Sequence, residues 1–171
     1  MTSAEPFTRI KIRVAAALFN GDEIALIRRT KNGEDQYTLP GGNVEPGEPI
    51  HQALARELDE ELGLDLAEAS SVPQLTWIQD AMVTRPGSNP PRKLHLVFRV
   101  HIDNTTRARL RTIEHDDTAG AGHLTWRHYK DTADKALFPP VPIAELVTPT
   151  APLDAAGALL PTMDDSNYHW I

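Results

Sequence analysis

No cysteine occurs among the 171 residues, and that absence removes disulfide scaffolds, thiolate zinc sites, iron–sulfur clusters and thiol catalysis together. Any metal must be held by oxygen or imidazole ligands. Positive charge is also short: 17 Lys plus Arg stand against 24 Asp plus Glu, a formal net charge of -7. A chain of that sign repels a phosphate backbone or an anionic membrane unless its basic residues cluster, so nucleic acid is not expected as the main partner. Long apolar runs are missing as well. There is no 18-residue apolar stretch, and residues 1–8 carry Glu5 and Pro6 but no apolar run. Neither a membrane span nor a signal peptide is expected, and a cytoplasmic location follows by default. What is present is ordinary for a soluble domain: 40% hydrophobic and 24% charged residues, in a chain long enough to bury a core of its own.

The chain opens with a strand pattern. Residues 9–19 alternate basic and apolar side chains before closing on an apolar run, Asn20-Gly21-Asp22 supplies turn chemistry, and residues 23–29 form a second apolar-rich run. A hairpin over 9–29 is expected. A short strand over 36–39 stops at Pro40-Gly41-Gly42, and the helical period starts at Pro49. Leu54, Leu58 and Leu62 fall on one stripe, with Ala55 beside it and Ile50 and Ala53 extending it. Pro49 suits a first helical turn and Gly63 a left-handed C-terminal cap. Further strands are expected over 75–84, 92–102 and 123–129, the last preceded by an acidic, Gly-rich loop over 114–122. Prolines 139, 140 and 142 allow at most a short helix afterwards. A domain over residues 1–147 is therefore followed by a tail, 148–171, ending in Tyr168-His169-Trp170-Ile171. Exposed, that apolar end would be adhesive, so it is expected to dock on the domain or on a partner copy.

The chemistry concentrates in residues 42–64. Glu57, Glu60 and Glu61 stand at i, i+3 and i+4, so three carboxylates share one helix face beside the leucine stripe. Like charges at these spacings cost roughly 0.2–0.5 kcal/mol per pair, and a hard divalent cation, Mg²⁺ or Mn²⁺, would remove the repulsion. The plainer reading is a solvated acidic face in which Arg56 pairs with Glu60 at i+4. The preceding loop argues for a shaped site: Gly41-Gly42 permits close backbone approach, Pro46-Gly47 is a turn dipeptide, and Glu48 sits at the positive end of the helix dipole.

This segment resembles the Nudix box, G-x5-E-x7-R-E-U-x-E-E-x-G-U with U a bulky aliphatic residue. Gly42, Glu48, Arg56, Glu57, Leu58, Glu60, Glu61, Gly63 and Leu64 fill every specified position, a coincidence expected on the order of once per million chains from average residue usage. The resemblance extends over about residues 9–147. It implies an α/β fold in which a mixed sheet is sandwiched between α-helices, and a Mg²⁺- or Mn²⁺-dependent hydrolase that cleaves a diphosphate bond in a nucleoside diphosphate linked to another moiety. It also implies a metal set of Glu57, Glu60 and Glu61, joined by Glu48 and Gly42, and catalytic roles for Arg56, Glu57 and Glu60. Arg56 would orient a glutamate of the box, and Glu57 is the first choice for a box base. Relatives are often homodimers.

Outside the box, Glu114 stands where relatives often place a further ligand or base, against the reading of an acidic surface loop. Arg28 and Arg29 are candidates for substrate phosphate, against surface arginines flanking a turn. Trp77 and Trp126 offer stacking faces for a base, against packing in a core. Arg107, Arg109 and Arg111 read as an exposed basic edge, and His51 has no second histidine at metal spacing. Two other classes share the fold: a nucleotide-sensing module without turnover, disfavoured by the intact box, and an isopentenyl diphosphate isomerase, disfavoured by the lack of a thiol. Family markers of substrate choice, a proline or tyrosine 16 to 18 residues past the box, are replaced by Asp80, Ala81 and Met82, so no single substrate is indicated.

Overall fold

The computed structural model describes residues 5–116 and 120–168, with the side chains of 114–116 outside that description. Its centre is a strand buried on both faces. From Val14 to Phe19 every residue of β1 (Ile10–Asn20) is 5% exposed or less, so the apolar run that ends the basic alternation is the part of the strand with a layer above and below it. A turn at Gly21, with φ of 58°, leads into β2 (Glu23–Lys31). The hairpin is short. Only Phe19 with Ile24 and Asn20 with Glu23 pair across it, after which the two strands diverge and β3 (Glu34–Thr38) takes over the edge of β2 from Ile27 to Lys31. Into the gap beside β1 comes β4 (Gly41–Asn43), antiparallel to Arg13, Val14 and Ala15.

The remaining strands widen the sheet on both sides. β6 (Arg92–His101) runs parallel to β1 over its whole length, and β5 (Gln74–Met82) is antiparallel to β6. On the far flank, β8 (Gly120–His128) pairs with β2, and β7 (Ile113–Asp116) pairs with β8. β9 (Leu137–Phe138) lies parallel to β3, and β10 (Met163–Asp164) parallel to β5. The sheet is mixed, and it curls. Phe138, from the β9 edge, packs with Ala81, Val83 and Met163 from the β5–β10 edge, so strands at opposite ends of the hydrogen-bonded order meet in space.

Helix α1 (Ile50–Leu62) covers one face. Ala53, Leu54, Leu58 and Leu62 are its buried residues, set against Val14, Ala16, Leu18 and Val100 of the sheet, as the stripe requires; Ile50 is 38% exposed and adds little. Gly63 ends the helix in the left-handed region, φ 65°, its N–H bonded to the Asp59 carbonyl. The α/β fold is the expected one. The second face is layered differently from a sandwich between α-helices: Trp77, Phe19, Leu26 and Val97 are covered by Tyr129, Val141, Ile143 and Leu146, which come from 3-10 turns over Tyr129–Thr132 and Ile143–Glu145 and the coil around them. The prolines at 139, 140 and 142 explain why no longer helix forms there. A second short helix, α2 (Asn104–Arg109), is capped by Asp103, whose carboxylate accepts from the Thr106 N–H at 2.8 Å.

Residues 149–168 lie against the β5–β6 flank. Arg99, 3% exposed, donates from Nη1 to the carbonyls of Pro149 and Ala151 at 2.9 and 2.8 Å and from Nη2 to Gln74 Oε1 at 3.1 Å. Thr84 meets Asp165 through its N–H and hydroxyl, and Tyr168 packs on Phe138 with ring centres 5.9 Å apart. His169, Trp170 and Ile171 lie outside the described residues. Arg99→Met is expected to lower the free energy of unfolding by about 1.5–3 kcal/mol, since charge-assisted hydrogen bonds are lost, and to expose the backbone near residue 150 to limited proteolysis; an unchanged denaturation midpoint would show that this guanidinium does not anchor the segment.

Candidate active site

The divergence of β1 from β2 leaves an opening that becomes a cleft of about 570 Å³. One wall is β1 at Arg13 to Ala15 with β4 beside it, another is the carboxylate face of α1, and Arg29, Thr38, His95 and Phe138 complete it. The box helix therefore stands at the mouth of a cavity floored by the sheet. Glu57, Glu60 and Glu61 all line it.

The loop before α1 owes its path to glycine. Gly41 has φ of 147°, and a Cβ there would run into the Val14 carbonyl and lie 2.7 Å from Ala15 Cα. A Cβ on Gly42 would overlap the carboxylate of Glu57. Only glycine lets β4 press on β1 on one side and accept Glu57 on the other.

Arg56 ties these parts together. Its Nε donates to Glu48 Oε1 at 2.8 Å and its Nη2 to Glu48 Oε2 at 3.0 Å, a bidentate pair; Nη1 reaches Glu57 Oε1 at 3.0 Å and Glu60 Oε2 at 3.2 Å; and Nη2 also donates to the Asn43 carbonyl at 3.0 Å. Glu48 accepts in addition from the Glu45 N–H at 2.9 Å. These contacts, with Arg56 foremost, hold the Glu48 carboxyl down to about 2 and push the Arg56 guanidinium up. Glu57 is shifted the other way: burial raises its carboxyl, the neighbouring Glu60 charge adds to that, and Arg56 opposes it. Glu61 accepts from the Gly41 N–H at 2.8 Å. Arg13, beside Glu57 and Glu61, loses basicity through burial and regains some from those two carboxylates. Among the described residues no three acidic or histidine side chains already converge on a point as a metal cage. The donor set is nevertheless all carboxylate oxygen, facing one cavity, and Glu57 is disfavoured as an anion where it stands; both properties suit a hard divalent cation.

Other candidates divide. Arg29 lines the cleft and donates to Thr38 Oγ1 at 3.4 Å, whereas Arg28 points to the sheet surface and pairs with Asp35 at 3.7 Å. Trp77 does not face this cleft: it is 4% exposed and packed in the core layer away from α1. Trp126 is half-buried beneath Arg107, whose Cζ is 4.1 Å from the ring centre. Arg107 and Arg109 lie on α2 and Arg111 just after it, so the three are not a strand edge. Arg107 joins Glu23 and Asn20, Arg109 pairs with Glu68, and Arg111 donates to the Asp59 and Glu60 carbonyls, where a cation complements the C-terminal end of α1. Glu114 falls on β7, paired with Gly122, not on a loop; its side chain lies outside the described residues. Sequence patterning passed over Arg13, His95, Arg111 and Phe138 as parts of the site. Arg13 had a signal in the basic alternation of β1, but nothing local marks His95 or Phe138.

The family model for the NUDIX domain matches residues 9–143. The chain belongs to the Nudix family. Among curated Nudix relatives it is 43% identical over 60 residues to a putative 8-oxo-dGTP diphosphatase 2 of Mycobacterium tuberculosis, covering 34% of this chain and 43% of that protein. It is 31% identical over 71 residues to the NAD-capped RNA hydrolase NudC of Stutzerimonas stutzeri, covering 42% and 26%. The matched segments thus span less than half the length of these relatives. The mutator MutT protein of Bacillus halodurans superimposes with a TM-score of 0.52 at 20% identity, over 71% of this chain and 70% of that one. A MutT Nudix hydrolase from Burkholderia pseudomallei gives 0.50 at 23%, over 71% and 84%. These structural likenesses concern the fold.

The Glu48 carboxyl, held near 2 against an ordinary value of 4.5, gives a pH signature. A depressed carboxyl contributes stability above its unfolded value and loses it as pH falls through the folded one. The stability difference between the wild type and Arg56→Met should accordingly be full at neutral pH and shrink as pH falls from 4.5 to about 2. Equilibrium unfolding of both proteins across that range tests it; a difference independent of pH would mean that the pair is not what holds Glu48 ionised.

Proposed function

We propose that this Nudix chain is a Mg²⁺- or Mn²⁺-dependent hydrolase that cleaves the diphosphate bond of a nucleoside diphosphate linked to another moiety, by attack of water on phosphorus. The observation that carries the reading is the union, in one cleft, of the carboxylate face of α1 with Arg13 and Arg29. The first can hold divalent cation and the second can hold the anionic oxygens that remain. Glu57, Glu60 and Glu61 would hold the ion, with Glu48 outside them fixing Arg56. When bound, the ion neutralises diphosphate oxygens and lowers the pKa of water.

The chain's own residues do the rest. Arg56 keeps Glu57 and Glu60 facing the cleft while its second edge secures the loop through Glu48 and Asn43. Gly42 leaves room for the Glu57 carboxylate against β4. Glu57, half-buried and turned into the cleft, is our candidate for the group that takes a proton from the attacking water; Glu114 is retained as a second candidate for that role. Arg29 offers a planar fork to a phosphoryl group. Names among the relatives support a nucleotide substrate: a nucleoside triphosphatase NudI of Salmonella arizonae is 36% identical over 63 residues, 37% of this chain and 44% of that protein.

A panel of nucleoside triphosphates, nucleotide sugars, ADP-ribose and dinucleotides, assayed for phosphate-bearing products with excess Mg²⁺ or Mn²⁺, tests the reading. Glu57→Gln and Glu61→Gln should each lower kcat by at least about 10²-fold without unfolding the protein, because each removes a charge at constant size, and Glu60→Gln should behave alike. Full turnover with unchanged metal dependence in these variants would return the three glutamates to the role of a solvated helix face.

A further inference from the structure

His95 is unusual for a residue that lines an open cleft. It lies on β6 directly beside Arg13 of β1 and opposite Gln79 of β5, is 1% exposed, and its Nε2 has no hydrogen-bond partner among the described residues. Its neighbours in register do not serve it. Gln79 directs its amide to the carbonyls of Pro161 and Asp80, at 2.6 and 3.2 Å, and Arg13 directs Nη1 to Asn43. The ring stands edge to face with Phe138, centres 5.0 Å apart. A buried polar atom without a partner costs stability, and in a core with no other demand a leucine would be the better residue.

Its surroundings also fix its charge. Burial, followed by Arg13 and Lys93, lowers the imidazole to about 3, so at neutral pH it is uncharged, with one N–H to donate and one nitrogen to accept. Phosphate oxygens only accept, and the cleft already meets them with Arg13 and Arg29. The cleft also has apolar and aromatic lining, Ala15, Leu39, Phe138 and Pro139, and of these Phe138 meets the ring. A neutral donor–acceptor group in an apolar, aromatic corner matches a flat heteroaromatic ring with mixed donors and acceptors on its edge.

We propose that the corner formed by His95 and Phe138 is the subsite that binds the nucleobase of the substrate, with His95 hydrogen-bonding the edge of the base and Phe138 packing on it. The assignment rests on the nucleotide-hydrolase reading for its ligand class, and names what selects among nucleotides there. His95 is a specificity residue that contributes nothing to the phosphoryl step. Phe138 is held from behind by Tyr168, so the C-terminal segment supports this wall.

The test needs neither metal nor turnover. Binding of AMP, GMP, CMP, UMP and ribose 5-phosphate is measured by calorimetry in the presence of a chelator, for the wild type, His95→Leu and Phe138→Leu. The wild type is expected to bind at least one nucleoside monophosphate about tenfold or more tightly than ribose 5-phosphate, as a site built to hydrogen-bond its ligand should. His95→Leu should remove most of that preference, leave the affinity for ribose 5-phosphate unchanged and raise the thermal midpoint of the unliganded protein. Phe138→Leu, which leaves the imidazole in place, should lower the same preference if His95→Leu fails to fold. A wild type that binds ribose 5-phosphate as tightly as every nucleotide overturns the proposal, and so does a preference that survives both substitutions. A chain that discriminates bases in this way yet hydrolyses nothing overturns the hydrolase reading alone.

Discussion

One guanidinium organises this site. Arg56 closes a bidentate pair with Glu48, reaches Glu57 and Glu60 on its own helix, and binds the Asn43 carbonyl. Three pieces of chain are fixed to one planar group: the end of β4, the turn before α1 and the carboxylate face of α1. Lysine has the charge but not the fork. Without that fork, the glutamates on α1 would repel one another and the loop carrying Gly41 and Gly42 would lose the tie that runs from Asn43 to the helix. The leucine stripe beside the acids anchors α1 to the sheet, and Arg56 converts that anchorage into a position for the acids.

The sheet supplies the space. Because β1 leaves β2 after two pairs and β4 takes up its edge, a gap opens that an uninterrupted hairpin would have sealed. Curling then brings β9 across to β6 and β10, so that His95, Arg29 and Glu57, from three distant parts of the sequence, face the same volume. Acidic and basic groups sit at close quarters there, which is how one cavity can offer ligands to a cation and hydrogen bonds to an anion.

Much of this was legible in the residues, for reasons that differ by element. Helix α1 declared itself through a 3.6-residue stripe between Pro49 and Gly63, and its acidic face through the spacing of Glu57, Glu60 and Glu61; both are local properties. β4 was not legible, because three residues, Gly41 to Asn43, become a strand only when β1 offers an edge. The acidic segment at Glu114 read as a loop and is a strand because β8 pairs with it. α2 was not read from the residues: the alternation of Arg107, Arg109 and Arg111 suggested an edge, where the structure has a short helix capped by Asp103. Trp77 shows the limit of composition: alternation puts it on one face of β5, but which face meets the cleft depends on how the sheet curls. His95 is the hardest case, since its importance lies in a hydrogen bond that is missing.

The meeting of the two sheet edges at Phe138 joins parts of the chain that are far apart in sequence. β1, β2, β4 and α1 are close in sequence, and their contacts with one another are of short separation. Phe138, Met163 and Tyr168 stand far downstream and join strands begun far upstream, so the wall that faces the acids depends on contacts of long sequence separation. A chain halted short of its last segment would carry charged helix and central strands in place around an unfinished cavity, with the β5 edge open to pair with a neighbour. The same segment therefore both completes the cleft and covers the β5 edge.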